Sequence, residues 1–249
     1  MPLTCLALTL GSVGASSAEI NVLSTGVIGV AMKELVPQFE QMSGHTVKVS
    51  FQISPVVTKQ ISGGIASPDM AIITGGGIDA LVKEGKITST SKVQLGETRV
   101  AVAVRAGAPQ PDIGSVEAVR KMILNAKSLA YTDPATGAPT ALHMVELLHR
   151  LGVADAVKDK TKLGQGGPIG EMVAKGEAEI GFQQVPELMP VAGISIVGPL
   201  PPELQNIIPV TAGILPQARE PAAAQSFIAF LTSPVARAAF KASGIDVRN

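Results

Sequence analysis

Residues 21–51 read NVLSTGVIGVAMKELVPQFEQMSGHTVKVSF, and the spacing of apolar residues along this stretch decides the fold class. Residues 20–23 are a short apolar run suited to a buried strand, and "LSTG" (Leu23, Ser24, Thr25, Gly26) then offers the small polar residues of a turn. From Val27 onward, Ile28, Met32, Leu35, Phe39 and Met42 recur at steps of three and four, one face of a helix that Gly44 stops. Val47, Val49 and Phe51 alternate with polar residues, as a half-buried strand does.

The same rhythm continues. Ser54-Pro55 predicts a helix N-cap followed by proline at the first helical position, residues 70–73 a third strand, and Thr74-Gly75-Gly76-Gly77 a turn into a helix through Leu81 to Glu84. Strand, small polar turn and helix alternate, which predicts a mostly parallel α/β sheet with helices on its faces. Residues 100–104 are a continuous apolar strand, and a Pro/Gly-rich break at 106–112 precedes a helix over 116–123 and a strand over 129–131. "TDPATGAPT" (132–140) opens a helix carrying Leu142, Val145, Leu148 and Leu151, and "GQGGP" (164–168) opens a shorter one. Strands follow at 178–184, 194–197 and 207–215, and helices at 221–231 and 234–242 end at Gly244.

Composition narrows the function. Among 249 residues, 20 Lys and Arg balance 20 Asp and Glu, so neither nucleic acid nor an anionic membrane is the expected partner. Residues 1–18 carry no charge and pass from an apolar run to Ser16-Ser17-Ala18, which reads as a secretory leader cut after Ala18, although the basic opening segment of such leaders is missing. Cys5, the sole cysteine, lies inside it, so the mature chain needs no disulfide. The expected product is an exported protein that spans no membrane.

Catalytic and metal motifs are sparse. There is no G-x-S-x-G elbow, and His143 and His149 stand six apart on one helix, on different faces, so they and His45 read as surface or helix-lining residues. No metal site or cofactor is expected. "GGG" at 75–77 and "GQGG" at 164–167 fit no phosphate-loop pattern. Each turn taken alone is an ordinary cap. Together, Ser24-Thr25, Ser54, Gly75-Gly76, Thr136-Gly137 with Thr140, and Gly166 all precede or open helices, at the carboxyl edge of the strands, where α/β sheets bind ligands. Hydroxyls, free N–H groups and helix dipoles there suit an anion without Lys or Arg.

These residues carry a resemblance. "NVLSTGVIGVAMKELVPQFEQMSGHTVKVSF", "ISPVVTKQISGGIASPDMAIITGGGIDALVKEGKI", "YTDPATGAPTALHMVELLHRLGV", "MVAKGEAEIGFQQVPEL" and "SIVGPLPPELQ" run in an order that resembles the periplasmic molybdate-binding proteins of ABC importers and their wider solute-binding family. The resemblance implies a type II periplasmic-binding-protein fold: two α/β lobes with mixed sheets, helices on both faces and a ligand cleft between them that closes by hinge motion. Lobe one would be residues 19–98 plus 207–249, and lobe two 99–206. "GETRVAVAV" and "GPLPPELQNIIPV" would be the crossing segments.

Carried over residue by residue, the ligand positions fall on Ser24 with Thr25 beside it, on Ser54, on Pro139 or Thr140, on Gly166, and on Gln184 in place of a tyrosine. Two of these depart from molybdate binders, since Pro139 has no N–H and Gln184 replaces a phenol by an amide. The leading expectation is capture of a small anion, an oxyanion such as molybdate or a compact carboxylate, in the periplasm by a monomer that serves a membrane ABC permease. The alternative is an exported isomerase of a small polycarboxylate, resembling aconitate isomerase, with Lys59, Arg99, Arg105, Asp133 and His143 as candidate base and cations.

Overall fold

The opening unit forms with its turn displaced. In the computed structural model, which describes residues 17–247, β1 (Glu19–Thr25) runs on through Ser24 and Thr25, and a 3-10 turn at Gly26–Ile28 leads into α1 (Gly29–Ser43). α1 buries Ala31, Met32, Leu35 and Phe39 and ends at Gly44, whose φ of 72° is the left-handed conformation glycine adopts freely. Met42, expected on the buried face, is 76% exposed; the apolar stripe ends at Phe39, which packs on Phe227 and Phe230.

β2 (Thr46–Gln52), α2 (Ser54–Ser62), β3 (Met70–Thr74) and α3 (Gly77–Lys83) follow as the periodicity predicts. The strand expected over residues 100–104 forms as β5 (Val100–Arg105), and a strand not expected from the pattern, β4 (Val93–Thr98), precedes it, the two parted at Arg99. Next come α4 (Val116–Asn125), β6 (Leu129–Thr132), α5 (Pro139–Arg150), α6 (Ala154–Val157), β7 (Thr161–Gly164) and α7 (Ile169–Ala174). The chain closes with β8 (Ile180–Gln184), α8 (Val185–Leu188), β9 (Ile194–Pro199), β10 (Ile208–Ile214), α9 (Pro221–Leu231) and α10 (Pro234–Ala242).

The strands form two five-stranded sheets, ordered β2-β1-β3-β10-β4 and β7-β6-β8-β5-β9. Both are mixed rather than mostly parallel. β1 lies parallel to β2 and β3, and β6 parallel to β7 and β8, but β10 and β5 each run against both neighbours. β5 and β10 are the strands by which the chain enters one sheet from the other. Periodicity records which residues are buried, not strand direction, so this was invisible in the pattern.

Each sheet is covered on both faces. Sheet one packs Ile20, Val22, Leu35, Phe39, Phe227 and Phe240 on one side and Val57, Ile61, Ile73 and Leu81 on the other. Sheet two packs Val102, Ile123, Leu147 and Phe182 on one side and Ala101, Ala103 and Leu188 on the other. The result is the two-lobed α/β fold. Gln205, on the second crossing segment, clamps the first: its Oε1 accepts from Val100 N–H at 2.9 Å and its Nε2 donates to Val100 C=O at 3.0 Å.

α5 is rotated from the expected face. Leu142 is 49% exposed, while Thr140, Ala141, His143, Met144, Leu147 and Leu148 are buried. The rotation brings His143 Nε2 within 3.0 Å of the Leu204 carbonyl oxygen. Residues 1–16, with Cys5 and most of the expected leader, lie outside the described residues. Ala18 is buried; its N–H donates to His45 Nδ1 at 3.2 Å and its carbonyl accepts from Thr46 N–H at 2.8 Å. Among the described residues no helix is long and apolar enough to cross a membrane.

Candidate functional site

The carboxyl ends of the central strands converge from both sheets on a cavity of about 220 Å³. Thr25, Gln52 and Thr74 close β1, β2 and β3, and Thr132 and Gln184 close β6 and β8; all five line it. The sheets approach closely around this space. A Cβ added at Gly75 would lie 3.0 Å from Pro139 Cγ, one at Gly166 3.5 Å from Ile53 Cγ2, and one at Gly137 3.8 Å from Pro55.

On the sheet-one side, Thr25 reaches the wall but Ser24 does not. Neighbours in a strand point to opposite faces, and Ser24, fully buried, donates to the Thr25 carbonyl at 3.1 Å. Ser54 is in the wall, but not as the cap its Ser-Pro context predicts. The cap residue of α2 is Ile53, with no side-chain bond. Ser54 Oγ instead accepts from Thr74 N–H at 3.0 Å and lies 2.6 Å from Thr74 Oγ1. Whichever hydroxyl donates across that contact, the other keeps one O–H hydrogen for a ligand.

Gly75 and Gly76 line an adjoining, wider cleft, and the Gly75 N–H is already committed to the Pro209 carbonyl at 2.9 Å.

On the sheet-two side, Pro139, Thr140, Gly166 and Gln184 all stand in the wall. Pro139 opens α5, and helix geometry leaves the N–H groups of Thr140 and Ala141 without intrahelical acceptors. Thr140 Oγ1 is buried with no hydrogen-bond partner, and so is Gln184 Oε1. Buried polar atoms are paired in the great majority of cases, so two unpartnered ones on residues of one wall mark it as a place for a polar ligand. Thr136 is not in the wall. Its hydroxyl donates to the Asp133 carbonyl at 2.6 Å and completes a turn, while Gly137 lines the wider cleft.

Among the described residues no Lys, Arg or His lines the cavity, and the one ionisable residue in its wall is Glu187. Gln184 Nε2 donates to Glu187 Oε2 at 3.3 Å. Burial pushes the Glu187 carboxyl up to about 7, against the smaller downward pull of that hydrogen bond. Glu187 is not among the residues expected from the sequence. Its signal was the "QQVPEL" stretch, in which Pro186 starts a single helical turn and so places Glu187 three residues after Gln184 and beside it. Gln183, also in the wall, accepts from Ile169 N–H at 2.7 Å and so caps α7.

The side chains considered for catalysis do not gather here. Arg99 pairs with Asp246 at 2.9 Å, and Arg105 is exposed beside Gly176. Asp133 accepts from Ala135 N–H and Gln165 Nε2, and these bonds hold its carboxyl below the usual range. Lys59 and His143 line the wider cleft; burial depresses the His143 imidazolium, and the Leu204 carbonyl partly offsets this. Among the described residues no cluster of His, Cys, Asp and Glu is placed to hold a metal ion.

Two α/β lobes whose strand ends enclose a cavity walled by hydroxyls, amides and helix N-termini define a ligand-binding protein of the type II periplasmic class. The chain belongs to the family of bacterial extracellular solute-binding proteins, whose model matches residues 20–246. It is 32% identical over 231 residues to an aconitate isomerase from Pseudomonas sp., covering 91% of this chain and 87% of that protein. It is 27% identical over 243 residues to the molybdate-binding protein ModA of Azotobacter vinelandii, covering 94% and 92%. The fold matches the solved periplasmic molybdate-binding protein of Azotobacter vinelandii with a TM-score of 0.76 at 22% identity, over 92% of this chain and all of that one.

Proposed function

We propose that this protein captures a small anion, an oxyanion or a compact carboxylate, between its lobes outside the cytoplasmic membrane and delivers it to a membrane ABC permease. The observation that carries the proposal is that Thr140 and Gln184, each with an unpartnered buried oxygen, line the same cavity as the Ser54–Thr74 hydroxyl pair. A ligand bonded from both sides favours the closed form, because only closure completes its hydrogen bonds. Lobe one would comprise residues 19–98 and 207–249, and lobe two 99–206, moving about the crossing segments that Gln205 joins. Ser54, Thr25, Thr140, Gly166 and Gln184 would be the ligand's contacts. Calorimetric titration with molybdate, tungstate, sulfate, citrate and the aconitate isomers tests this; no heat and no thermal shift with any of them rejects it.

One observation favours a second reading, an isomerase of a small unsaturated polycarboxylate. Glu187 places a carboxyl poised near neutrality in the same cavity, and general bases work best there. The Glu187 carboxylate would take a proton from the carbon next to the double bond, the pair of electrons would shift the double bond by one position, and the protonated Glu187 would return the proton to the far carbon. Incubating cis- or trans-aconitate with catalytic protein and following the ultraviolet spectrum decides between the two. A transport component leaves the spectrum unchanged.

A further inference from the structure

An anion site that contains a carboxylate and no cation is electrostatically inconsistent unless something neutralises the carboxylate. Among the described residues nothing packed on α8 does so: Arg99, whose carbonyl accepts from Val185 N–H at 3.0 Å, spends its guanidinium on Asp246 at 2.9 Å. The 3-10 turn and β8, which pack on α8, carry no ionisable side chain; α7 carries Glu171, paired with Lys175 at 3.1 Å, and β5 carries Arg105 at its far end. The C-terminal turn that meets Val185 and Met189 is formed by Ser243, Gly244 and Ile245, also without charge.

Gln184 links the charge state of Glu187 to the ligand. A carboxamide has one donor end and one acceptor end. With Glu187 ionised, Gln184 Nε2 is spent on the carboxylate and Oε1 is left without a partner, an acceptor on a residue of the wall where an anion needs a donor. With a proton on Glu187, its O–H can donate to the amide oxygen once the amide turns over, and the N–H group is released to the ligand. The two orientations have nearly the same shape, so the turn needs no backbone movement.

We propose that the cavity takes up its anion together with one proton, held on the Glu187 carboxyl or shared between Glu187 and the ligand, with the Gln184 amide turning to present a donor. This rests on the anion-capture reading and narrows its ligand class. Anions that carry their own acidic proton, such as hydrogen-bearing oxyanions, share it with Glu187 directly and enter without further uptake. Fully ionised oxyanions and carboxylates enter only as the solution supplies the proton. The elevated Glu187 carboxyl places this dependence in the neutral range.

The test is calorimetry of the full mature protein with molybdate and with trans-aconitate at about pH 8, in two buffers of different protonation enthalpy, which counts protons taken up per ligand. Wild type should take up about one, with affinity falling roughly tenfold per pH unit above about 7. Glu187→Gln should take up none and bind at least as tightly as wild type at that pH. Binding without proton uptake in wild type overturns the proposal and leaves anion capture standing, and this outcome does not depend on the variant folding. Absence of binding at about pH 6, where Glu187 is largely protonated, by molybdate and trans-aconitate and equally by tungstate, sulfate, citrate and cis-aconitate removes the anion-capture reading itself and this proposal with it.

Discussion

The two halves of the cavity wall are built on opposite terms. On the sheet-one side the polar groups are paired: Ser54 Oγ accepts from the Thr74 N–H and shares a hydrogen bond with the Thr74 hydroxyl. On the sheet-two side they do not, since Thr140 Oγ1 and Gln184 Oε1 are orphans and Glu187 is a carboxyl raised by burial. An unpaired buried polar atom costs about 1–3 kcal/mol. The first half is therefore set in shape by its own bonds, while the second carries the cost of its unpaired atoms, which the proposed ligand would relieve.

Substitutions can break this contrast. The largest effect is expected from Ser54→Ala, which strips the Thr74 N–H of its acceptor and removes a ligand bond; it should lower stability and weaken anion binding by about 3 kcal/mol or less, measured by denaturant titration and calorimetry. Lower stability with unchanged affinity would make Ser54 purely structural.

Next is Glu187→Gln. A carboxyl raised in the folded state adds stability that is complete below the unfolded value, about 4.5, and is lost as pH rises through about 7. At about pH 8 the variant should be more stable than wild type by about 2 kcal/mol, and its stability should no longer fall across that window. A melting temperature that changes equally with pH in both proteins would show that Glu187 is not the group concerned.

Thr140→Val sharpens the comparison further. Removing an orphan hydroxyl at constant volume should stabilise the ligand-free protein by about 1 kcal/mol while weakening ligand binding, opposite in sign to Ser54→Ala on stability. The smallest effect on binding belongs to Ser24→Ala, within about 0.5 kcal/mol because this hydroxyl lies outside the wall, while loss of its buried bond to the Thr25 carbonyl should cost about 1 kcal/mol of stability. Loss of binding in that variant would move the site.

Much of this was legible in advance. The α1 face from Ile28 to Phe39, the Gly44 stop and the helix openings at Pro139 and Pro221 follow from local periodicity and from residues with restricted backbones. Thr25, Ser54, Pro139, Thr140, Gly166 and Gln184 were candidates from their places on turns and from the family resemblance, and all six stand in one wall. Gly75, Gly76 and Gly137 fall in the neighbouring cleft, and Ser24 and Thr136 in neither.

The sequence by itself determined the alternation of strands and helices and the cluster of hydroxyls and glycines at strand ends, because these depend on a few neighbouring residues. Tertiary structure decided strand direction, the choice of Thr25 over Ser24, the use of Ser54 as a partner for Thr74 twenty residues on, and the charge of Glu187. Pleat parity at a strand's end, hydrogen bonds between distant segments and the desolvation of a carboxyl are set by what surrounds a residue. The residues beside it in the chain do not contain that information.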